Sequence, residues 1–95
     1  MNNTILRNTK KGTILDFNNL RDWESFDKIA AILQNYFHAT LLTKVDGPES
    51  RVWSFMVDDE IIALQNDPYG NFLKSLSIEP TNVLIRIHEQ WELYE

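Results

Sequence analysis

The sequence predicts an α+β protein in which two helices cover one face of a single antiparallel sheet, in the order ββαββββα. Two segments repeat apolar residues every three or four positions, which is typical of amphipathic helices. Six short segments are rich in β-branched and aromatic residues, which favour strands. The last four strand segments follow one another through connections too short for the crossover of a parallel pair. Ninety-five residues, 43% of them hydrophobic, suit one domain spanning residues 1–95.

The chain opens with a predicted hairpin, and a helix follows. Two β-type runs, residues 4–7 and 13–17, flank a turn that ends at Gly12. Asp22 is predicted to cap the helix, since a carboxylate there accepts hydrogen bonds from the free amides of the first turn. The opposite face of the helix is polar, so the stripe should pack on the core. The apolar stripe consists of Trp23, Phe26, Ile29, Ala30, Leu33, Tyr36 and Phe37.

Four further runs predict consecutive strands joined by turns. They cover residues 39–45, Arg51–Val57, 61–66 and 72–78. The turns between them are rich in aspartate, glycine and proline, which break strands and adopt turn conformations. The strands are therefore predicted to form an antiparallel meander, with the position of the N-terminal hairpin relative to it left open.

A second helix is predicted near the C-terminus. Glu79-Pro80 ends the last strand, and Thr81 or Asn82 can cap the helix that follows. Its apolar face consists of Val83, Leu84, Ile87, Trp91 and Tyr94.

Composition excludes several classes of protein. The chain has no cysteine, which rules out disulfides, thiolate metal sites and a cysteine nucleophile and favours the cytoplasm. The N-terminus lacks the apolar run of a signal peptide, and no stretch of residues is apolar enough to span a membrane. A pI near 4.9 argues against nucleic-acid binding, because that function needs lysine and arginine to contact phosphates.

The negative charge is concentrated in one part of the sequence. Residues 46–70 hold six acids and one base, a net charge of −5 that equals the net charge of the whole chain. We therefore expect a single acidic, turn-rich edge that binds a basic protein partner. The adjacent acids at 58–60 could instead form an ordinary solvated turn with no binding role. Tyr69 could instead pack back over its own turn. The predicted partner-binding residues are Asp46, Glu49, Asp58, Asp59, Glu60, Asp67 and Tyr69.

The sequence offers little for catalysis. The only histidines, His38 and His88, are predicted at a helix end and beside Glu92 on a helix surface, with no nucleophile close in sequence. Three glycines cannot form a phosphate-binding loop, and the acids do not match a calcium loop or a zinc site. Asp67 could hold a calcium ion weakly, but a β-turn explains its sequence better. We expect no metal, no cofactor and no enzymatic activity.

The chain resembles the small bacterial immunity proteins that neutralise toxins, including those of contact-dependent growth inhibition. The residues that carry the resemblance are residues 22–26, which open the first helix, residues 52–60 and residues 67–71. The resemblance implies stoichiometric inhibition of a cognate toxin, often a nuclease whose active-site cleft is basic. An acidic inhibitor suits such a cleft, because complementary charge speeds association and suppresses wrong partners.

Two other functions stay open. A structural or regulatory adaptor could form a homodimer through a sheet edge, for which the N-terminal hairpin or the strand at residues 72–78 are candidates. A small enzyme could use His38 or His88 together with acids that the fold brings near.

Overall fold

The computed structural model describes residues 3–10, 12–75 and 82–95 and contains one six-stranded antiparallel sheet with two α-helices. The predicted α+β class and element order are confirmed. The elements are β1 (Thr4–Thr9), β2 (Gly12–Phe17), α1 (Trp23–Tyr36), β3 (Thr40–Asp46), β4 (Arg51–Val57), β5 (Glu60–Asp67), β6 (Gly70–Ser75), α2 (Asn82–Gln90) and a short 3₁₀ helix, Trp91–Leu93.

The strands are ordered β1-β2-β6-β5-β4-β3 across the sheet. β3 to β6 form the expected meander, and the N-terminal hairpin joins it beside β6. β1 and β3 are therefore the sheet edges. The expectation that the strand at residues 72–78 could offer an edge is wrong for its described part, because β6 pairs with both β2 and β5. Residues 76–78 lie outside the described residues.

A row of large apolar side chains crosses the sheet beneath the helices. Leu15, Leu73, Leu64 and Trp53 are successive cross-strand partners, and all four are buried. A buried leucine contributes roughly 1.5–3 kcal/mol through removal of its surface from water, so this row is a large part of the driving force. The adjacent strand residues point alternately toward the helices and toward solvent, as the pleat requires.

The first helix begins as predicted. The Asp22 carboxylate accepts a hydrogen bond from the Ser25 amide at 3.0 Å and so caps the helix. Trp23 and Tyr36, expected in the core stripe, are instead 43% and 52% exposed. Tyr36 stacks on Tyr94 with ring centroids 4.5 Å apart, which covers one side of each ring.

The second helix buries the predicted face. Val83, Leu84, Ile87 and Trp91 are buried, and Tyr94 packs partly against the core. Asn82 is its first helical residue, while the predicted strand stop at residues 79–80 and Thr81 lie outside the described residues. Within the described ranges, neither helix is long and apolar enough to cross a membrane.

Candidate functional site

The structure divides the predicted acidic edge between two opposite ends of the sheet. β4 starts beside Asp46 and finishes at Asp58, so the two ends are separated by a seven-residue strand, roughly 20 Å. The expectation of one continuous acidic edge is therefore wrong, because antiparallel strands send successive turns to alternate ends. Asp46, Glu49, Asp67 and Tyr69 lie at one end, and Asp58, Asp59 and Glu60 lie at the other.

At the first end, a buried arginine pairs with two aspartates. The Arg51 guanidinium donates to both carboxylate oxygens of Asp27, at 3.0 and 3.3 Å, and to Asp46 at 3.1 Å. The Trp53 indole also donates to Asp46, at 2.8 Å. Donation to Asp27 and Asp46 raises the pKa of Arg51, which keeps the guanidinium charged. Asp46 is thus engaged within the fold and is a poor candidate for contact with a partner.

Three aromatic rings surround the same guanidinium. The central carbon of Arg51 lies 4.2 Å from the ring centroid of Phe26, 4.8 Å from that of Trp53 and 5.1 Å from that of Trp23. The negative faces of these rings attract the cation, and more strongly because the side chain is largely removed from water. Trp23 is half-exposed because it serves as an outer wall for Arg51. In the sequence Arg51 stands out only as one base among six acids, and its contacts with these rings depend on the tertiary structure.

The hydrogen bonds to Asp46 predict a loss of stability in acid. Donation from Trp53, and then from Arg51, lowers the pKa of Asp46 below its ordinary value. A carboxyl whose pKa is lowered by folding contributes stability above its unfolded pKa of about 3.9, and this contribution disappears as the pH falls through the folded pKa. Asp46→Asn should therefore destabilise the protein at pH 7, with a difference from wild type that shrinks below about pH 4. Urea unfolding of the wild type and of Asp46→Asn across this pH range measures the difference in stability. A difference that does not change with pH would contradict the prediction.

The turn between β5 and β6 holds Tyr69 away from the core. The Asp67 carboxylate accepts hydrogen bonds from the backbone amides of Tyr69, at 2.8 Å, and Gly70, at 3.1 Å. Gly70 has a φ of 138°, which confirms the predicted positive φ at this turn. Tyr69 is 84% exposed, so its ring does not pack back over the turn.

At the second end, two aspartates occupy an unfavourable backbone conformation. Asp58 and Asp59 form the two-residue turn between β4 and β5, with φ values of 48° and 67°. Such a hairpin turn most favours Asn-Gly, because glycine carries no Cβ penalty in the left-handed region. The sequence keeps two carboxylates at positions where a neutral pair would be more stable. Strained residues of this kind cluster at functional sites.

Asp58 borders a groove between the β4–β5 turn and α2, which we call the acidic groove. Its volume is about 380 Å³. Arg86 donates to Asp58 across it, and both side chains of this pair are substantially exposed. Glu89, which is not one of the predicted partner-binding residues, lines the groove together with the predicted acids Asp58 and Glu60, because α2 passes beside the turn. The lining includes Asp58, Glu60, Asn82, Ile85, Arg86 and Glu89.

Neither histidine is among the residues that line this groove. His38 follows α1 with a φ of 57° and is exposed, and His88 on α2 lies 2.6 Å from the Thr4 hydroxyl oxygen, measured from Nδ1. Within the described part of the chain, no group of three or more histidine, aspartate or glutamate side chains is placed to hold a metal ion.

The fold and site together describe an α+β protein with helices on one sheet face and an acidic groove at one sheet end. Comparison with family models, with curated proteins and with solved structures found no match to this chain.

Proposed function

We propose that this chain is a non-enzymatic protein-binding module whose acidic groove binds a basic partner, and that it acts as an immunity protein that neutralises a bacterial toxin, such as a nuclease. The observation that carries the proposal is the turn Asp58-Asp59, two carboxylates held in the left-handed region, of which Asp58 lines a groove together with Glu60 and Glu89. A turn selected for stability alone would favour Asn-Gly.

The electrostatics of the groove suit such a partner. Among the described residues that line the groove, three are acids, Asp58, Glu60 and Glu89, and one is a cation, Arg86. An exposed ion pair of this type contributes only about 0–1 kcal/mol, so an incoming arginine or lysine can take the place of Arg86 at Asp58. Complementary charge also accelerates encounter, to as much as ~10⁸–10⁹ M⁻¹s⁻¹ at low salt, which suits an inhibitor that must capture a toxin quickly.

One variant separates binding from stability. Asp58→Asn with Asp59→Gly should raise the free energy of unfolding by about 1 kcal/mol, because Asn-Gly fits the turn. The same variant should weaken partner binding at least about tenfold, because two of the carboxylates are lost. Urea unfolding gives the first quantity. Affinity for the product of the neighbouring open reading frame, together with rescue of growth when that product is expressed, gives the second.

A matched control removes the same charge at the other end of the sheet. Glu24→Gln with Glu49→Gln also removes two exposed carboxylates, far from the acidic groove, and should leave affinity within about twofold of wild type at physiological salt. If both double variants weakened binding equally, binding would depend on the overall net charge. This result would contradict the acidic groove as the binding site. A neighbouring domain that neither binds this chain nor is neutralised by it would overturn the immunity function.

A homodimeric adaptor is the second candidate, and its surface is now defined. A homodimer that pairs through a sheet edge would have to use β1 or β3, since these strands are the edges of the sheet. β3 is almost entirely exposed, but it carries a bulge between Leu41 and Thr43 and places Lys44 in its second half. Bulges and lysines on edge strands discourage pairing with another chain. Light scattering of the purified protein at micromolar concentration should therefore give a monomer; a stable dimer would favour the adaptor.

A further inference from the structure

The two edges of the sheet differ in how well they are protected from pairing with another strand. An edge strand presents a row of unpaired backbone N–H and C=O groups, which is a template for a further strand. β3 is interrupted by a bulge between Leu41 and Thr43 and carries Lys44, and both features discourage such pairing. β1 has neither feature, because it pairs with β2 in unbroken register from Thr4 to Thr9 and contains no lysine and no proline. β1 is therefore the edge that stays open to a further strand.

Alternate residues of β1 direct their backbone groups away from the sheet. The backbone oxygen of Asn3 accepts a hydrogen bond from the Asn18 amide at 3.0 Å, so the odd-numbered residues of β1 are those that bond to β2. The N–H and C=O groups of Leu6 and Asn8 consequently point to the open side. Within the described residues, no hydrogen bond joins the backbone of Leu6 or Asn8 to another part of the chain. Each of these residues can exchange two hydrogen bonds with a residue of an added antiparallel strand.

The side chains of β1 leave apolar surface that such a strand would cover. Leu6 packs against the hydrophobic core but is only partly buried, and Ile5, on the other face of the sheet, is 46% exposed. A strand added beside β1 would place a side chain next to each of them, because neighbouring strands lie about 4.8 Å apart and their side chains alternate between the two faces. Removal of this surface from water favours binding.

The charge of the N-terminal hairpin restricts what the added strand can carry. β1 and the turn after it contain no acid and three bases, Arg7, Lys10 and Lys11. Asp16 on β2 pairs with Arg7, and the hairpin, residues 4–17, keeps a net charge of +2. Like charges on neighbouring strands destabilise their pairing. A second copy of β1 would bring two sets of these bases together, so the charge favours a strand from another protein that carries no lysine or arginine.

We propose that β1 is a docking edge for an extended segment of a protein partner, which adds to the sheet as a seventh strand. The backbone of the segment pairs with Leu6 and Asn8, its apolar side chains cover Leu6 and Ile5, and it carries no lysine or arginine. No residue of β1 lines the acidic groove, so this proposal does not rest on the proposed function and each can fail without the other.

The test is a titration of the ¹⁵N-labelled protein with a blocked six-residue peptide that alternates valine with glutamine. In the free protein the amides of Leu6 and Asn8 should exchange with solvent quickly and those of Ile5 and Arg7 slowly, since only the second pair is bonded within the sheet. The peptide should shift the Leu6 and Asn8 amide resonances and slow their exchange about twofold at half saturation. A peptide concentration of about 10 mM detects a Kd of that size.

Three variants compare the two edges of the sheet. Asn8→Pro removes an outward amide without removing a bond to β2 and should abolish the shifts, while urea unfolding shows that the variant is folded. Ile5→Lys places a charge on β1 and should weaken binding about fivefold or more. Val45→Lys is the matched control, because Val45 is also exposed and lies on β3, and it should leave the affinity within about twofold of wild type. Equal weakening by the two lysine variants would overturn the assignment of the edge.

Two companion peptides identify what the edge recognises. Methylation of every backbone amide of the peptide removes its donors and should abolish the shifts. Replacement of glutamine by lysine should weaken binding about fivefold, because the hairpin is basic. Unchanged binding of either companion, shifts confined to another surface, or no shifts with the valine–glutamine peptide would each overturn the proposal. Protection of the Leu6 and Asn8 amides that rises with protein concentration alone would assign β1 to a second copy and overturn it as well.

Discussion

Arg51→Ala is expected to lower the free energy of unfolding by about 3 kcal/mol. The side chain is only 8% exposed, and it lies among three rings and two carboxylates. The substitution removes the cation that the rings attract and leaves Asp27 and Asp46 without their shared partner. It also leaves space beneath Trp23, where the aliphatic part of Arg51 now packs. Because both carboxylates are at least half exposed, the cost should stay at the lower end for a broken buried pair.

Thermal and urea unfolding of three variants separates charge from packing. Arg51→Ala should lower the melting temperature by about 15 °C, given the few degrees per kcal/mol typical of domains of this size. Arg51→Met keeps the apolar stem without the charge and should recover part of the loss. Arg86→Ala removes an exposed arginine of similar shape and should cost less than about 1 kcal/mol. Equal effects of Arg51→Ala and Arg86→Ala would contradict the structural role of Arg51.

Asn71→Ala is expected to cost a similar amount, about 3 kcal/mol, for a different reason. The buried Asn71 amide donates to the backbone oxygens of Leu20 and Asp22, both at 2.9 Å, and its oxygen accepts from Asn66 at 2.7 Å. Alanine leaves these three groups without their partner in a site from which water is largely excluded. Each unsatisfied buried group costs roughly 1–3 kcal/mol, so the sum is large even with local relaxation.

A double-mutant cycle tests this account. Asn66→Ala loses the single bond to Asn71 and should cost less than Asn71→Ala. The double variant should cost less than the sum of the two, since the bond between Asn66 and Asn71 is then counted once. Asn35→Ala, on the exposed face of α1, is the matched control and should stay within about 0.5 kcal/mol of wild type. Additive single effects would show that the amides do not act as one network.

The local features of this protein were predictable because they depend on neighbouring residues. Apolar spacing of three and four placed α1 and the buried face of α2, and turn residues placed the boundaries of the strands. The N-cap at Asp22 and the positive φ of Gly70 also followed from short-range chemistry. Alternation along Arg51–Val57 puts Trp53, Phe55 and Val57 on one side of the strand, and the structure buries all three.

The sequence by itself determined the α+β class, the element order and the antiparallel pairing, since these depend on periodicity and connection length. Only the tertiary structure decided that the N-terminal hairpin pairs with β6, that the acids separate to opposite ends of the sheet, and that Arg51 pairs with Asp27 and Asp46 at one of those ends. It also placed Glu89 and Asp58 in the lining of the same groove. These contacts join residues distant in the chain, and no local pattern encodes which distant strand or helix a given face will meet.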